Sequence, residues 1–70
     1  MALSMANVGE IKTIKALKAK DEVKRHLMNL GFIVGEKVEV ISDNPSGLIL
    51  LVKNTKVALN KAMANKILVQ

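Results

Sequence analysis

The chain has 70 residues, of which 11 are Lys or Arg, 6 are Asp or Glu, one is aromatic and none is cysteine. This length predicts a single domain over residues 1–70 that folds on one small core. The lack of cysteine excludes disulfides and thiolate metal sites, and the longest aliphatic run is too short for a membrane span, so we expect a cytoplasmic protein without a leader peptide.

The first strand is predicted from Glu10 to Leu17. Its alternation slips, because Ile11 and Ile14 cannot point to the same face of a regular strand. We therefore expect a β-bulge between these two isoleucines, which would restore the phase and curve the strand.

A helix is predicted from Glu22 to about Leu30, with Asp21 as its N-cap. Val23, Leu27 and the last leucine of this segment fall within about 40° of one another on a helical wheel. That narrow apolar stripe predicts a helix packed by one side onto the rest of the domain.

Gly31 follows the helix where a left-handed residue is favoured, so the helix should stop there. Phe32 is predicted to fold back on Leu27 in a Schellman ending. Gly35 marks a second turn, and the alternating segment Lys37–Ser42 predicts the second strand.

The remaining segments are short and separated by turn residues. We predict a loop at Asp43–Gly47, a third strand at Leu48–Lys53 and a tight turn at Asn54–Thr55. A fourth strand at Lys56–Leu59, a helical turn at 60–64 capped by Asn60 and a last strand at Ile67–Val69 should follow. Five short strands with one main helix predict a mainly β fold, a small closed barrel with a helical insert.

Residues for catalysis or metal binding are scarce. His26 is the only histidine and lies at the edge of the apolar stripe, so a partly buried structural role is expected. The adjacent Asp21 and Glu22 are better explained by the start of the helix. We therefore predict no enzyme activity, no cofactor and no metal site.

Two surfaces are candidates for binding a protein partner. The first is the helix face formed by Lys24, Arg25 and Met28, where the methionine either packs against the barrel or forms an adaptable apolar centre between cations. The second is the third strand, which is apolar on both faces and is therefore either fully buried or covered by a helix or partner. Its candidate contact residues are Leu48, Leu50 and Val52. If it lies at a sheet edge, it would also support a homo-oligomer.

The net charge of +5 raises the alternative of a small nucleic-acid-binding barrel. Single-strand binders stack bases on several aromatic faces, whereas Phe32 is the only aromatic residue here. The lysines are also spread along the sequence. Nucleic acid is therefore the less favoured partner.

Several motifs, taken in their order and spacing, resemble the ferrous iron transport protein A (FeoA) family across nearly the whole chain. The residues that carry the resemblance are Leu3-Ser4, Gly9-Glu10, Ile14, Leu27–Phe32 with Gly35, Pro45 with Gly47, and Val57–Leu59 with Ala64, Ile67 and Val69.

This resemblance implies an SH3-like β-barrel with a helix inserted after the first strand. It also implies a cytosolic accessory protein of bacterial ferrous iron uptake that binds the cytosolic GTPase region of the FeoB membrane transporter. The helix face and the third strand are then the candidate docking residues on this chain.

Overall fold

The computed structural model describes residues 1–70. In chain order the elements are a 3₁₀ turn (Leu3–Met5), β1 (Ile11–Leu17), α1 (Asp21–Asn29), β2 (Lys37–Asn44), β3 (Gly47–Val52), β4 (Thr55–Leu59), α2 (Lys61–Ala64) and β5 (Ile67–Val69). The five strands form one antiparallel sheet in the order β4-β3-β2-β1-β5. The predicted mainly β fold, with a helix after the first strand and a helical turn near the C-terminus, is confirmed.

The core is one cluster to which every strand and both helices contribute. It consists of Leu3, Ala6, Ile14, Leu17, Leu27, Phe32, Val38, Val40, Leu48, Leu50, Val52, Leu59, Ala64, Ile67 and Val69. No polar side chain is buried with it. The inward faces of the strands and the apolar stripe of α1 therefore meet in a single hydrophobic interior.

Strand β1 is shared between two neighbours. Its first three residues pair with β2, and its second half pairs with β5 with an irregular register between Ile14 and Ala16. The bulge predicted between Ile11 and Ile14 is therefore wrong in position. Ile14 and Leu17 both enter the core, and an extra residue between them allows this three-residue spacing, whereas Ile11 is 61% exposed.

Helix α1 begins one residue earlier than predicted. Lys20 is its N-cap and makes no side-chain capping bond, so the assignment of Asp21 as the cap is wrong. Asp21 and Glu22 instead occupy the first turn, where carboxylates interact favourably with the positive end of the helix dipole.

The end of α1 is a Schellman motif, as predicted. Gly31 has a φ of 109°. Its N–H donates to the Met28 carbonyl at 3.0 Å, and the Phe32 N–H donates to the Leu27 carbonyl at 3.0 Å. Leu27 and Phe32 are both fully buried, so the helix end is fixed by hydrogen bonds and by packing.

The β2–β3 connection is tighter than the five-residue loop expected from its composition. Asn44 pairs with Gly47, which leaves only Pro45 and Ser46 in the turn. Turn-forming residues can occupy strand ends as well as the turn itself, so the composition overestimated the length of the loop.

The β3–β4 turn lies one residue earlier than predicted, at Lys53 and Asn54. Val52 and Thr55 are paired across it, and the two turn residues have φ values of 50° and 62°. Two positive φ angles in a two-residue hairpin are characteristic of a type I′ turn, whose twist matches that of the strands.

Asn60 caps α2 as predicted. Its Oδ1 accepts a hydrogen bond from the Met63 N–H at 2.8 Å. The chain then enters β5, whose outer edge is covered by the N-terminal residues, because Ala2 forms a β-bridge with Leu68 and the Val69 N–H donates to the Met1 carbonyl.

We expect Gly31→Ala to lower the free energy of unfolding by about 1–2 kcal/mol, the cost of forcing an L-residue to a positive φ. An added Cβ would sit 3.5 Å from Val52 Cγ1, which is ordinary contact, so backbone strain is the cause. Urea denaturation measures the loss. The control, Asn29→Ala, also lies at the end of α1 and should leave stability within about 0.5 kcal/mol. Equal stability of Gly31→Ala and the native chain would contradict the Schellman assignment.

We expect Asn54→Gly to raise the midpoint of thermal unfolding, because glycine adopts the positive φ of the turn without steric cost. The free energy of unfolding should rise by an amount on the order of 0.5 kcal/mol, because glycine also gives the unfolded chain more conformational freedom and so offsets part of the gain. The same replacement at helical Asn29 should lower the midpoint instead. A lower midpoint for Asn54→Gly would show that the turn does not require this geometry.

Candidate protein-docking surface

The outer face of α1 presents the three residues predicted from the sequence. Lys24, Arg25 and Met28 are all exposed, and Met28 retains 43% of its accessible surface. The opposite side of the helix is anchored by buried Leu27 and by Val23, which packs against the core. The structure therefore leaves Met28 on the surface, beside two cations, rather than packed against the barrel.

The second predicted surface, on β3, is buried in the structure. Leu48, Leu50 and Val52 are at most 1% exposed and belong to the core. Their burial leaves no surface for a partner to contact. The other side chains of β3, Ile49 and Leu51, are half-buried on the outer face of the sheet, so any docking through this strand would use those two residues.

Strand β3 is also not an edge strand, which removes the reason for expecting a homo-oligomer through it. It lies between β2 and β4 with ordered pairing on both sides. A strand whose backbone groups are paired on both sides has none left to pair with a second copy.

The outer face of the sheet carries exposed Ile11, which the sequence did not single out as a candidate for binding. In the strand register, Ile11 lies opposite Glu39, Glu39 opposite Leu51, and Leu51 opposite Lys56. A shallow cavity of about 250 Å³ on this face is lined by Ile11, Lys37, Glu39, Leu51, Lys53 and Asn54. The phase slip between Ile11 and Ile14 was the available sequence signal, since without a bulge between them one of the two must point outward.

A second, smaller cavity of about 160 Å³ lies where β3 and β4 meet the start of α2, and Asn44, Ser46 and Asn60 supply its polar lining. Gly47 forms part of its wall, and a Cβ there would approach the Leu59 carbonyl oxygen to 2.5 Å. This close backbone approach explains why a glycine opens β3.

His26 is exposed on α1, not partly buried as predicted. No group of three or more His, Asp or Glu side chains is close enough to hold a metal ion. Neither helix has the length and hydropathy of a membrane-spanning segment.

One carboxylate has a perturbed titration. The Asn7 N–H donates to Glu10 Oε1 at 2.7 Å and, with a smaller contribution from the Lys12 charge, lowers the pKa of Glu10. The Lys12 Nζ lies 3.5 Å from the other carboxylate oxygen. This local network holds the turn that precedes β1.

The family and structure comparisons agree with one another. The FeoA domain model matches residues 1–70. A provisionally named Fe(2+) transport protein A of Methanocaldococcus jannaschii is 28% identical over 68 residues, which cover 97% of this chain and 83% of that protein.

Solved structures of similar proteins share the fold. Iron(II) transport protein A of Clostridium thermocellum has a TM-score of 0.94 at 29% identity, covering 100% of this chain and 44% of that one. A zinc complex of FeoA from Stenotrophomonas maltophilia, described as an SH3 domain protein, has a TM-score of 0.88 at 28% identity and covers 100% and 89% of the two chains. The predicted SH3-like architecture is confirmed.

We expect Leu50→Ala to cost about 2–5 kcal/mol of unfolding free energy, because it leaves a cavity in the core. Leu51→Ala, the same change one residue away on the outer face, should cost about 1 kcal/mol, since its side chain is only half-buried. Chemical denaturation of both variants measures the difference. Similar losses at the two positions would contradict the assignment of faces in β3.

Proposed function

The chain belongs to the FeoA family, since the FeoA domain model matches residues 1–70, and we propose that it is a cytosolic accessory protein of ferrous iron transport. The match over the whole sequence is the observation that carries this proposal. The Methanocaldococcus jannaschii relative bears a transport-protein name, and the Stenotrophomonas maltophilia structure is described as a candidate ferrous iron transport activating factor.

The partner that we propose is the cytosolic GTPase domain of the FeoB membrane transporter. An accessory protein of this kind acts by binding and requires an exposed surface held in a fixed shape. The exposed face of α1 meets that requirement, because the helix is anchored by buried Leu27 and closed by the Schellman motif at Gly31.

The chemistry of this face suits a protein interface. Met28 supplies a flexible apolar side chain, and Lys24 and Arg25 stand beside it without forming an ion pair. Interfaces often place an apolar centre within a polar rim, and methionine and arginine are enriched in them. The face is thus complementary to an apolar pocket bordered by carboxylates.

The experiment is an amide NMR titration of the labelled protein with the isolated GTPase domain. We expect shifts on residues 24–28 and a binding constant that Lys24→Glu/Arg25→Glu weakens at least about tenfold, since reversed charges repel a carboxylate rim. A control, Lys37→Glu/Lys56→Glu, makes the same change in net charge on exposed strand positions away from α1.

Equal affinity of the α1 variant and the native protein would remove α1 as the docking face. No binding of the native protein would contradict the proposed partner. A DNA duplex added to the same sample tests the nucleic-acid alternative, for which binding should fall steeply between about 50 and 200 mM salt.

A further inference from the structure

The ion pairs of the folded chain leave its positive charge unevenly distributed. The three ion pairs join Lys12 to Glu10, Lys53 to Glu36 and Lys61 to Asp43. Six of the remaining cations occupy adjoining parts of the fold, at the end of β1, along α1 and before β5. We call this set the cationic pole: Lys15, Lys18, Lys20, Lys24, Arg25 and Lys66.

Two backbone hydrogen bonds connect parts of the cationic pole. The Lys18 N–H donates to the Lys66 carbonyl at 2.7 Å, which joins the end of β1 to the start of β5. The Lys24 N–H donates to the Lys20 carbonyl at 2.8 Å. Lys24 and Met28 are four residues apart and lie on the same side of α1, and Lys20 is the N-cap residue just before the helix. The surface proposed for docking therefore continues beyond α1.

Most of the net charge belongs to this region. The cationic pole holds six of the eleven Lys and Arg residues, and the intervening residues Asp21 and Glu22 are two of the six carboxylates, so the region carries +4 of the total +5. The rest of the chain has nearly equal numbers of both signs. Five of the six cations come from residues 15–25, and the fold brings Lys66 beside Lys18.

The two carboxylates favour a protein partner over a phosphate-rich one. Asp21 and Glu22 are exposed in the first turn of α1 and form no ion pair, so they place negative charge within the cationic pole. A lipid headgroup layer or a nucleic acid is uniformly negative and would repel them. A protein surface can oppose the cations with carboxylates and these two residues with a basic side chain.

We infer that the cationic pole is an electrostatic docking surface for a protein region rich in Asp and Glu, with a basic residue opposite Asp21 and Glu22. This inference rests on the proposed function, in which the bearer of that region is the GTPase domain. The pole extends the contact from α1 to Lys15, Lys18 and Lys66. It steers association, so it acts on the rate of binding and makes affinity depend on salt.

The test uses residues of the pole outside the α1 face. Lys15→Glu/Lys18→Glu changes two exposed lysines on and just after β1, and Lys37→Glu/Lys56→Glu is its control, with the same charge change at exposed lysines that also lack ion pairs. Association rates with the GTPase domain are measured by stopped flow at about 50 and 200 mM salt. Amide NMR spectra establish that both variants keep the fold.

We expect the pole variant to associate at least about tenfold more slowly at low salt and the control to change by less than about threefold. Equal slowing of both variants would overturn the inference, because net charge alone would explain it, and would leave the proposed function intact.

Failure of the native protein to bind the GTPase domain would contradict the proposed function, and two further probes then decide the inference separately. Poly-L-glutamate should shift the amides of the cationic pole in preference to those near Lys37 and Lys56. Vesicles of phosphatidylserine and phosphatidylcholine, or a DNA duplex, should bind more weakly at equal charge concentration. Scattered shifts with poly-L-glutamate, or tighter binding to vesicles or DNA, would overturn the choice of a protein partner.

Discussion

The end of α1 at Gly31 is the constraint on which the rest of this structure depends. A domain of 70 residues has one small core, and the only long helix must reach that core and stop within a single turn. Gly31 turns the chain at a positive φ that other residues resist, and a Cβ at this position would lie in ordinary contact with Val52 of β3. Phe32 and Leu27 then close the core from the helix side. Because this side is fixed, the opposite face of α1 is presented in one orientation.

The bend in β1 is the second constraint, and it determines which sheet edges remain open. By pairing first with β2 and then with β5, β1 places β5 and β4 at the two ends of the sheet. The N-terminal residues cover the outer edge of β5. The edge of β4 has no paired strand, but it is five residues long and carries exposed Lys56, features that disfavour edge-to-edge pairing.

Local chemistry in the sequence predicted the parts of the fold that depend on neighbouring residues. The stop at Gly31 and the cap at Asn60 both follow from contacts within a few positions. The faces of β3 could not be predicted in this way, because an apolar residue at every position gives no alternation to follow. Nor could the ion pairs, since Lys53 meets Glu36 and Lys61 meets Asp43 only in the folded chain.

The three ion pairs therefore affect the distribution of charge on the surface more than they affect the stability of the fold. Each joins side chains that remain substantially exposed, and such pairs contribute about 0–1 kcal/mol. Their stronger effect is to neutralise charge outside the cationic pole, so that the field of the molecule comes mainly from the unpaired cations of the pole. Those cations repel one another and stabilise nothing within the chain. A surface of this kind gains favourable interactions only when an anionic partner is bound, which is the expected behaviour of an accessory protein.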